Sequence, residues 1–341
     1  MSRPLHALFQ QRIAGDDALL KLARLRFAQA GLAAEVYADT PDQLERALRF
    51  APPHPRLPLV HLNRNINLLD DAGRAVVEEF ARRFAGRVSG LVVHDKAQMA
   101  TQGHALVAGI EELDISLGRR PDSPLVFLEY AAGLEPGCFV ELVEQFAKVE
   151  RVSCCLDVGH VGIKQAGVRF SREHPDVKLW DLSPDDDRLP DLVGDVQRAV
   201  EAALPIVLDM IRALAQLGKR LHFHLHDGHP IIRGLSDHFS FLMRVPVPFS
   251  HDGRQSLPTM YGPAGLAAIV STAMAATSLE QLSFTLEIHQ VEGRLPLEDA
   301  AGLFKHWRDT SNAERMNYWL SVLANNGLLV DTSMPISPSS Q

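Results

Sequence analysis

Short apolar segments alternate along the chain with amphipathic segments of helical period. The apolar segments have the length of strands, and we predict strands over 34–38, 57–62, 88–93, 125–128, 152–156, 221–227 and 283–288. Between them, apolar residues return at helical spacing, which predicts helices over 16–30, 41–50, 71–84, 97–115, around 139–146, and over 191–217, 263–277 and 297–324. This regular alternation is typical of a parallel sheet with helical crossovers.

The number and order of these elements favour an α/β fold of the TIM (β/α)8-barrel type. Seven strands are clear, and the eighth is predicted as a degenerate first strand near 5–13. The rival is a doubly wound open sheet, which usually carries a glycine-rich phosphate loop after an early strand; the sequence has neither Gly-x-Gly-x-x-Gly nor Gly-Lys-Ser/Thr. We expect one barrel domain over 1–330, with long loop insertions at about 164–190 and 228–261 and a disordered tail over 331–341.

Composition narrows the class of protein. The chain has 341 residues, of which 46% are apolar, and a net charge of −8, which argues against a broad basic surface for nucleic acid. Its three cysteines indicate buried thiols in a reducing compartment. Without a long apolar run or a signal peptide, we expect a cytoplasmic protein with no membrane segment. Oligomeric state stays open, because the apolar segment 315–330 could pack on the barrel or on a neighbouring subunit.

Candidate chemistry is concentrated where the predicted strands end. Imidazole or carboxylate side chains end five strands: His61, His94, Glu129, Asp157 and Glu287. In a barrel these ends meet at one face, where active sites of this fold lie. Such a mixture of side chains would repel or stay unpaired without cations, and it suits Zn²⁺, Mn²⁺, Fe²⁺ or Co²⁺. The sequence therefore predicts a divalent-metal site there.

The segment Leu-His-Phe-His-Leu-His-Asp at 221–227 strengthens this prediction. Its period of two places His222, His224 and His226 on one face of a strand. Burying three imidazoles is costly unless a metal or hydrogen bonds satisfy them. Because His222 comes two residues before His224 on the same strand face, it should lie one layer deeper in the barrel. There it would hydrogen-bond a metal ligand and would not bind the metal itself. The remaining histidines away from strand ends are interpreted as surface residues: His6, His54, His104, His174, His251 and His306.

Four motifs together resemble the xylose isomerase-like TIM barrels, a superfamily that includes endonuclease IV and many sugar isomerases and epimerases. They are Leu-Glu-Tyr-Ala-Ala-Gly at 128–133, Leu-Asp-Val-Gly-His at 156–160, His-Leu-His-Asp at 224–227 and Leu-Glu-Ile at 286–288. The resemblance covers roughly residues 30–290. It implies that the shared metal ligands are Glu129, Asp157, His224 and Glu287, and that His160 contacts metal or substrate.

The resemblance divides into two branches with different chemistry. Sugar isomerases and epimerases use one metal, and here Glu129 and Glu287 would exchange protons beside a carbonyl. The endonuclease IV branch holds three zinc ions, and this chain is similar to it at additional positions. The resemblance then implies two or three ions, with Glu129 as a bridge, on nine ligands: His61, His94, Glu129, Asp157, His160, His224, Asp237, His238 and Glu287.

The chain also departs from that branch. Asp237 and His238 are adjacent where the branch has Asp-x-His, and Tyr130 follows Glu129 where asparagine is usual. Asp95-Lys96 follows His94 in place of Pro-Gly. The DNA-gripping loops of endonuclease IV are not recognisable, which argues against DNA repair.

These features lead to a first hypothesis of a multinuclear metal hydrolase acting on a phosphoester, chiefly a phosphodiester, of a small phosphorylated or sugar-like metabolite. The catalytic candidates are Glu129, Glu287 and His160. The candidates for substrate contacts are His226, His229, Arg233 and Lys164, and Arg172 and Arg254 could also bind an anion. His226 and His229 could equally be metal ligands or solvated loop residues. The alternatives are a single-metal sugar isomerase or epimerase and a non-catalytic accessory protein.

Overall fold

A computed structural model of the chain describes residues 4–8, 17–49, 52–182, 186–227 and 260–287. Eight parallel strands pair in sequence order and close into a barrel, because β1 pairs with both β2 and β8. The strands are β1 Leu5–Leu8, β2 Ala33–Ala38, β3 Leu59–Leu62, β4 Gly90–His94, β5 Leu125–Tyr130, β6 Val152–Asp157, β7 Leu221–Leu225 and β8 Leu282–Glu287. The predicted TIM-barrel fold is confirmed, including the short first strand.

Helices surround the barrel and connect successive strands. They are α1 Asp17–Gln29, α2 Pro41–Arg49, α3 Asp71–Arg83, α4 Gly103–Gly118, α5 Pro136–Gln145, α6 Val158–Glu173, α7 Leu189–Glu201, α8 Ala203–Gln216 and α9 Gly262–Ala276. The helix predicted over 97–115 is two elements, a 3₁₀ turn at Ala97–Ala100 followed by α4. The helix predicted over 191–217 divides at Ala202, and Pro205 lies in the first turn of α8, where proline removes no helical hydrogen bond.

The first insertion is shorter than the sequence predicted. Residues 164–173 belong to α6, which runs from the end of β6 to Glu173. The charged residues of α6 lie on its solvent-facing side, while Val161, Ala166 and Phe170 are buried against the barrel. The polar face of this amphipathic helix was therefore misread as loop. Residues 228–259 of the second predicted insertion lie outside the described residues. The predicted helix 297–324 and the predicted tail 331–341 also lie outside them.

The apolar core fills the layer between the strands and the helices, and a smaller apolar group fills the floor of the barrel. That floor contains Leu59, Val92, Phe127 and Cys155. Gly90 makes room for it, since a Cβ there would lie 2.5 Å from the Phe127 ring. Apolar side chains therefore close the barrel from below, and the polar interior residues lie above them toward the C-terminal ends of the strands.

None of the helices in the described part of the chain has the length and apolar character of a membrane span. The three cysteines, which are described, are free thiols; Cys154 and Cys155 are buried and Cys138 is exposed.

Candidate metal centre

The polar residues predicted at the strand ends meet at one end of the barrel. Register pairs His94 of β4 with Glu129 of β5, and Asp157 of β6 with His224 of β7. Neighbouring parallel strands lie under 5 Å apart, so these pairs are in direct reach of each other. All four except His94 are fully buried, and the side chain of His94 is 21% exposed.

Glu129 lies between two groups of histidines. Its Oε2 atom is 3.3 Å from His61 Nε2 and 3.2 Å from His94 Nε2. Its Oε1 atom is 3.1 Å from His224 Nδ1 on the other side. The buried Oε2 atom accepts no hydrogen bond from any described residue. A buried carboxylate oxygen that faces two imidazole nitrogens in this way is suited to a cation.

The spacing of the first group fits a tetrahedral metal ion. The two Nε2 atoms of His61 and His94 are 3.4 Å apart, so all three donor atoms are separated by 3.2–3.4 Å. Atoms bound tetrahedrally to zinc at roughly 2.0–2.1 Å are separated by about 3.3 Å. The Nδ1 atom of His61 donates to the carbonyl of Leu62 at 3.2 Å, which leaves the lone pair on Nε2 facing Glu129.

A second group of donors surrounds His224 Nδ1. Glu287 Oε2 is 3.7 Å and Asp157 Oδ2 is 4.0 Å from that atom. The two carboxylate oxygens of Asp157 have different contacts. Oδ1 accepts the His160 backbone N–H at 2.8 Å and so caps α6. The buried Oδ2 has no hydrogen-bond partner in the described residues. The four residues that the resemblance implies as shared ligands, Glu129, Asp157, His224 and Glu287, therefore lie close together around His224 Nδ1.

His226 and His160 extend the cluster toward a third group. His226 is fully buried, and its Nε2 is 2.6 Å from Asp157 Oδ1 and 3.9 Å from Glu287 Oε2. The His160 Nε2 atom is 3.7 Å from Asp157 Oδ2, and its side chain is 20% exposed. Gly159 is required here, since a Cβ would lie 1.8 Å from the His226 ring. The sequence left His226 open as a substrate contact or a metal ligand, and its position beside Asp157 and Glu287 is compatible with a ligand role.

Four predicted site residues cannot be located. Asp237, His238, His229 and Arg233 lie outside the described residues, as does Arg254. The ligand roles that the resemblance implies for Asp237 and His238 therefore stay predictions.

Glu35 is a residue of the candidate centre that the sequence analysis did not identify. It is buried in β2 one layer below the cluster, where it accepts hydrogen bonds from His222 Nε2 at 3.2 Å and His224 Nε2 at 3.1 Å, and from the Thr285 hydroxyl. Because Nε2 of His224 donates to Glu35, the Nδ1 lone pair points at Glu129. His222 lies one layer deeper, as its parity predicted, and its Nδ1 contacts Ser283 Oγ at 2.8 Å.

His6 corrects another prediction, because it is not a surface residue. It is buried inside the barrel on β1, with its ring in an edge-on contact with His222. Burial, followed by the nearby His222, lowers the pKa of His6 to about 3. His6 is therefore neutral at physiological pH.

The loop after β5 is held by residues flanking the cluster. The buried Asp95 carboxylate accepts the backbone N–H groups of Ala131, Gly133 and Leu134 at 2.9–3.0 Å. Lys164, which the sequence predicted as a substrate contact, extends its ammonium to this loop, 2.7 Å from the carbonyl of Leu134 and 3.1 Å from Glu135 Oε1. Asp95 thus fixes the segment that follows Glu129.

Charge in the cluster is strongly coupled. Burial opposes ionisation of Asp157, but His160 and His226 lower its pKa to about 2. Burial likewise opposes protonation of His61, but Glu129 raises its pKa to about 9, and Asp157 does the same for His226. Without a metal ion, the ionised Glu129 and Asp157 carboxylates are therefore paired at neutral pH with the protonated imidazoles of His61 and His226.

This coupling predicts how the metal-free protein responds to pH. Histidines whose folded pKa is raised stabilise the fold fully below pH 6.5, and that contribution is lost as pH rises through 9. Between these values we expect the metal-free protein to lose about 3 kcal/mol of unfolding free energy for each of the two histidines, His61 and His226, whereas the metal-loaded protein gains affinity for its ions as protons are released. Urea unfolding at pH 6.5 and pH 9, with and without chelator, checks this. Equal slopes with pH in both forms would contradict it.

Comparisons with known proteins identify the fold but no family. No protein-family model matches the sequence, and no curated protein is similar to it. Among solved structures, the crystal structure of AsfvAP:AG has a TM-score of 0.50 at 14% identity, over 90% of this chain and 89% of that one. The carboxyl transferase domain of Rhizobium etli pyruvate carboxylase with oxamate and biotin has a TM-score of 0.40 at 14% identity, over 94% of this chain and 47% of that one. At such identities the likeness to AsfvAP:AG supports the barrel fold alone.

Proposed function

We propose that this protein is a multinuclear metal hydrolase that cleaves a phosphoester, chiefly a phosphodiester, in a small phosphorylated or sugar-like metabolite. One observation carries the proposal: the two oxygens of Glu129 face different donor groups, His61 and His94 on one side and His224 on the other. A carboxylate in this position is suited to bridging two ions. The donor set contains imidazoles and carboxylates, which favours two or three Zn²⁺ ions and is compatible with Mn²⁺, Fe²⁺ or Co²⁺.

Divalent ions bound at such a cluster would bring the pKa of water toward neutrality and neutralise the charge of a phosphoryl group. The chain's own residues would position the ligands, border the entry of the substrate and exchange protons with it. Glu129 and Asp157 fix the spacing of the histidines around them, and Glu35 orients His224 from below. His94 and His160 are the partly exposed members of the cluster, and they border the side from which a substrate can enter. His160 is the residue suited to exchanging a proton with a bound substrate.

A second candidate function is favoured by the donors around His224. Glu129, Asp157 and Glu287 converge on His224 Nδ1 without any contribution from His61 or His94. These four residues could hold a single ion, with Glu129 and Glu287 as the acid and base of a sugar isomerase or epimerase. In that case His61 and His94 would contact only the sugar.

The number of bound ions and the effect of removing two histidines distinguish the candidates. We expect two or three equivalents of metal per chain in protein purified without chelator, and hydrolysis of bis(p-nitrophenyl) phosphate. Changing His61 and His94 together to alanine is expected to remove at least one equivalent and to abolish hydrolysis, since two of the three donors of one ion are lost. His104→Ala, on the exposed face of α4, is the matched control. One equivalent in the wild type, or hydrolysis that survives the double change, would contradict the hydrolase and favour a screen of ketoses.

A further inference from the structure

A cavity lies at the opposite end of the barrel from the metal cluster. It has a volume of about 210 Å³ and is formed by α1, the start of β2 and the segment 52–58 that leads into β3. Apolar side chains and three prolines form most of its walls, including Phe27, Leu32 and Leu57. This volume is below the roughly 300–1,000 Å³ of sites for drug-sized ligands, so it fits a small molecule.

The polar part of the cavity wall is basic. Arg24 of α1, His54 and Arg56 all line it. His54 Nδ1 accepts the backbone N–H of Arg56 at 3.1 Å, which leaves the proton of the neutral ring on Nε2. Burial, and then the neighbouring Arg220 guanidinium, lower the pKa of Arg56. Three guanidinium groups thus contribute positive charge to one end of the barrel.

Arg24 is the unusual member of this group. Arg24 is only 5% exposed, and its Nη1 atom has no hydrogen-bond partner among the described residues. No carboxylate in the described part of the chain forms an ion pair with it, and burial lowers its pKa to about 10. Burying a guanidinium is costly because its charge is desolvated, and no carboxylate of the described residues offsets that cost for Arg24.

We propose that this cavity, hereafter the Arg24 pocket, binds a small organic anion through the Arg24 guanidinium. The planar fork of arginine matches a carboxylate or phosphate group, and Arg56 lies beside it to share the charge. The apolar walls fit a compact hydrocarbon body attached to that group. The prolines at 52, 53 and 58 stiffen the wall, so the pocket is formed before the ligand arrives. This site is independent of the proposed hydrolase activity.

Calorimetric titration of the full-length, metal-loaded protein tests the Arg24 pocket. The probes are inorganic phosphate, phenyl phosphate and benzoate, at about 0.15 M salt so that exposed charges are screened. We expect one site per chain that prefers a probe with a ring, and affinity about tenfold weaker or lost in Arg24→Met. Arg26→Met, an exposed arginine on the same helix, should bind like the wild type. Anions held at the metal cluster would be unaffected by either change.

Thermal unfolding separates a binding role from a structural one. In anion-free buffer, Arg24→Met should unfold at the same temperature as the wild type or higher, because it removes an uncompensated buried charge. Arg24→Lys keeps the charge but not the fork, and it should fold and bind weakly. The proposal is overturned if none of the three probes binds the wild type, if Arg24→Met binds as tightly as Arg26→Met, or if Arg24→Met melts early and the wild type shows no stabilisation by any probe.

Discussion

Glu129→Gln is expected to lower the bound metal from two or three equivalents per chain to at most one, and to reduce turnover by more than about 100-fold. The amide keeps the size of the side chain but removes the negative charge that His61, His94 and His224 face. Even groups that only support a ligand change metal affinity by about 10–100-fold, so the loss of a bridging ligand should exceed that range. Elemental analysis and single-turnover hydrolysis measure both effects on the same sample.

The control for this change is Glu141→Gln, an exposed glutamate on α5 that should retain full metal and activity. Circular dichroism verifies that Glu129→Gln is folded. In the metal-free variant, the imidazole of His61 should also titrate well below the pKa of about 9 that Glu129 maintains. A Glu129→Gln protein that keeps its full complement of metal would show that this carboxylate does not bridge ions.

Changing Glu35 should produce the largest loss of stability. Glu35 is fully buried and accepts from His222, His224 and Thr285, so Glu35→Ala leaves three donors without an acceptor. Removing one partner of a buried charged pair costs about 3–5 kcal/mol, and we expect a loss of that size in urea unfolding. Glu35→Gln should cost less, because its carbonyl can still accept one of these hydrogen bonds. Glu45→Gln, at a surface pair with Arg87, is expected to change little.

Metal binding distinguishes the role of Glu35 from that of a ligand. If it positions His224, both variants should keep the number of bound ions while the affinity falls by about 10–100-fold. If Glu35 coordinates an ion directly, its variants should lose one equivalent of bound metal. Glu35 would then be a ligand of the same ion as His61 and His224. Titration with a competing chelator reads both quantities. Unchanged affinity in Glu35→Ala would contradict either role.

The strand-end residues could be predicted because two simple regularities act together. Strand side chains alternate with a period of two, and parallel strands in a barrel end at one face, so His61, His94, Glu129, Asp157 and Glu287 had to converge if the fold was right. The resemblance to xylose isomerase-like barrels, which supplied the wider ligand set, stays a prediction from motifs. The histidines of β7 followed the same parity, and His222 lies a layer below His224 as expected.

The residues that were missed have partners in distant parts of the chain. Glu35 and His6 lie on the first two strands, yet their neighbours are on β7 and β8, a contact that exists only because the sheet closes. A signal was present: a glutamate at an inward position between apolar residues of a buried strand must have a partner. The surroundings of His226 also depend on the fold, since only the fold brings Gly159 against its ring.

Asp157 links the metal cluster to the helix that follows it, because one oxygen caps α6 while the other faces the cluster. The path from Asp157 to His160 therefore has a fixed length. Adding or removing one residue between them would rotate α6 by about 100° and withdraw His160 from the cluster. The described residues 174–182 that follow Glu173, by contrast, lie beyond the far end of α6 and include none of the candidate donors. For an engineer grafting new specificity onto this barrel, the usable boundary lies after Glu173 and not at the end of β6.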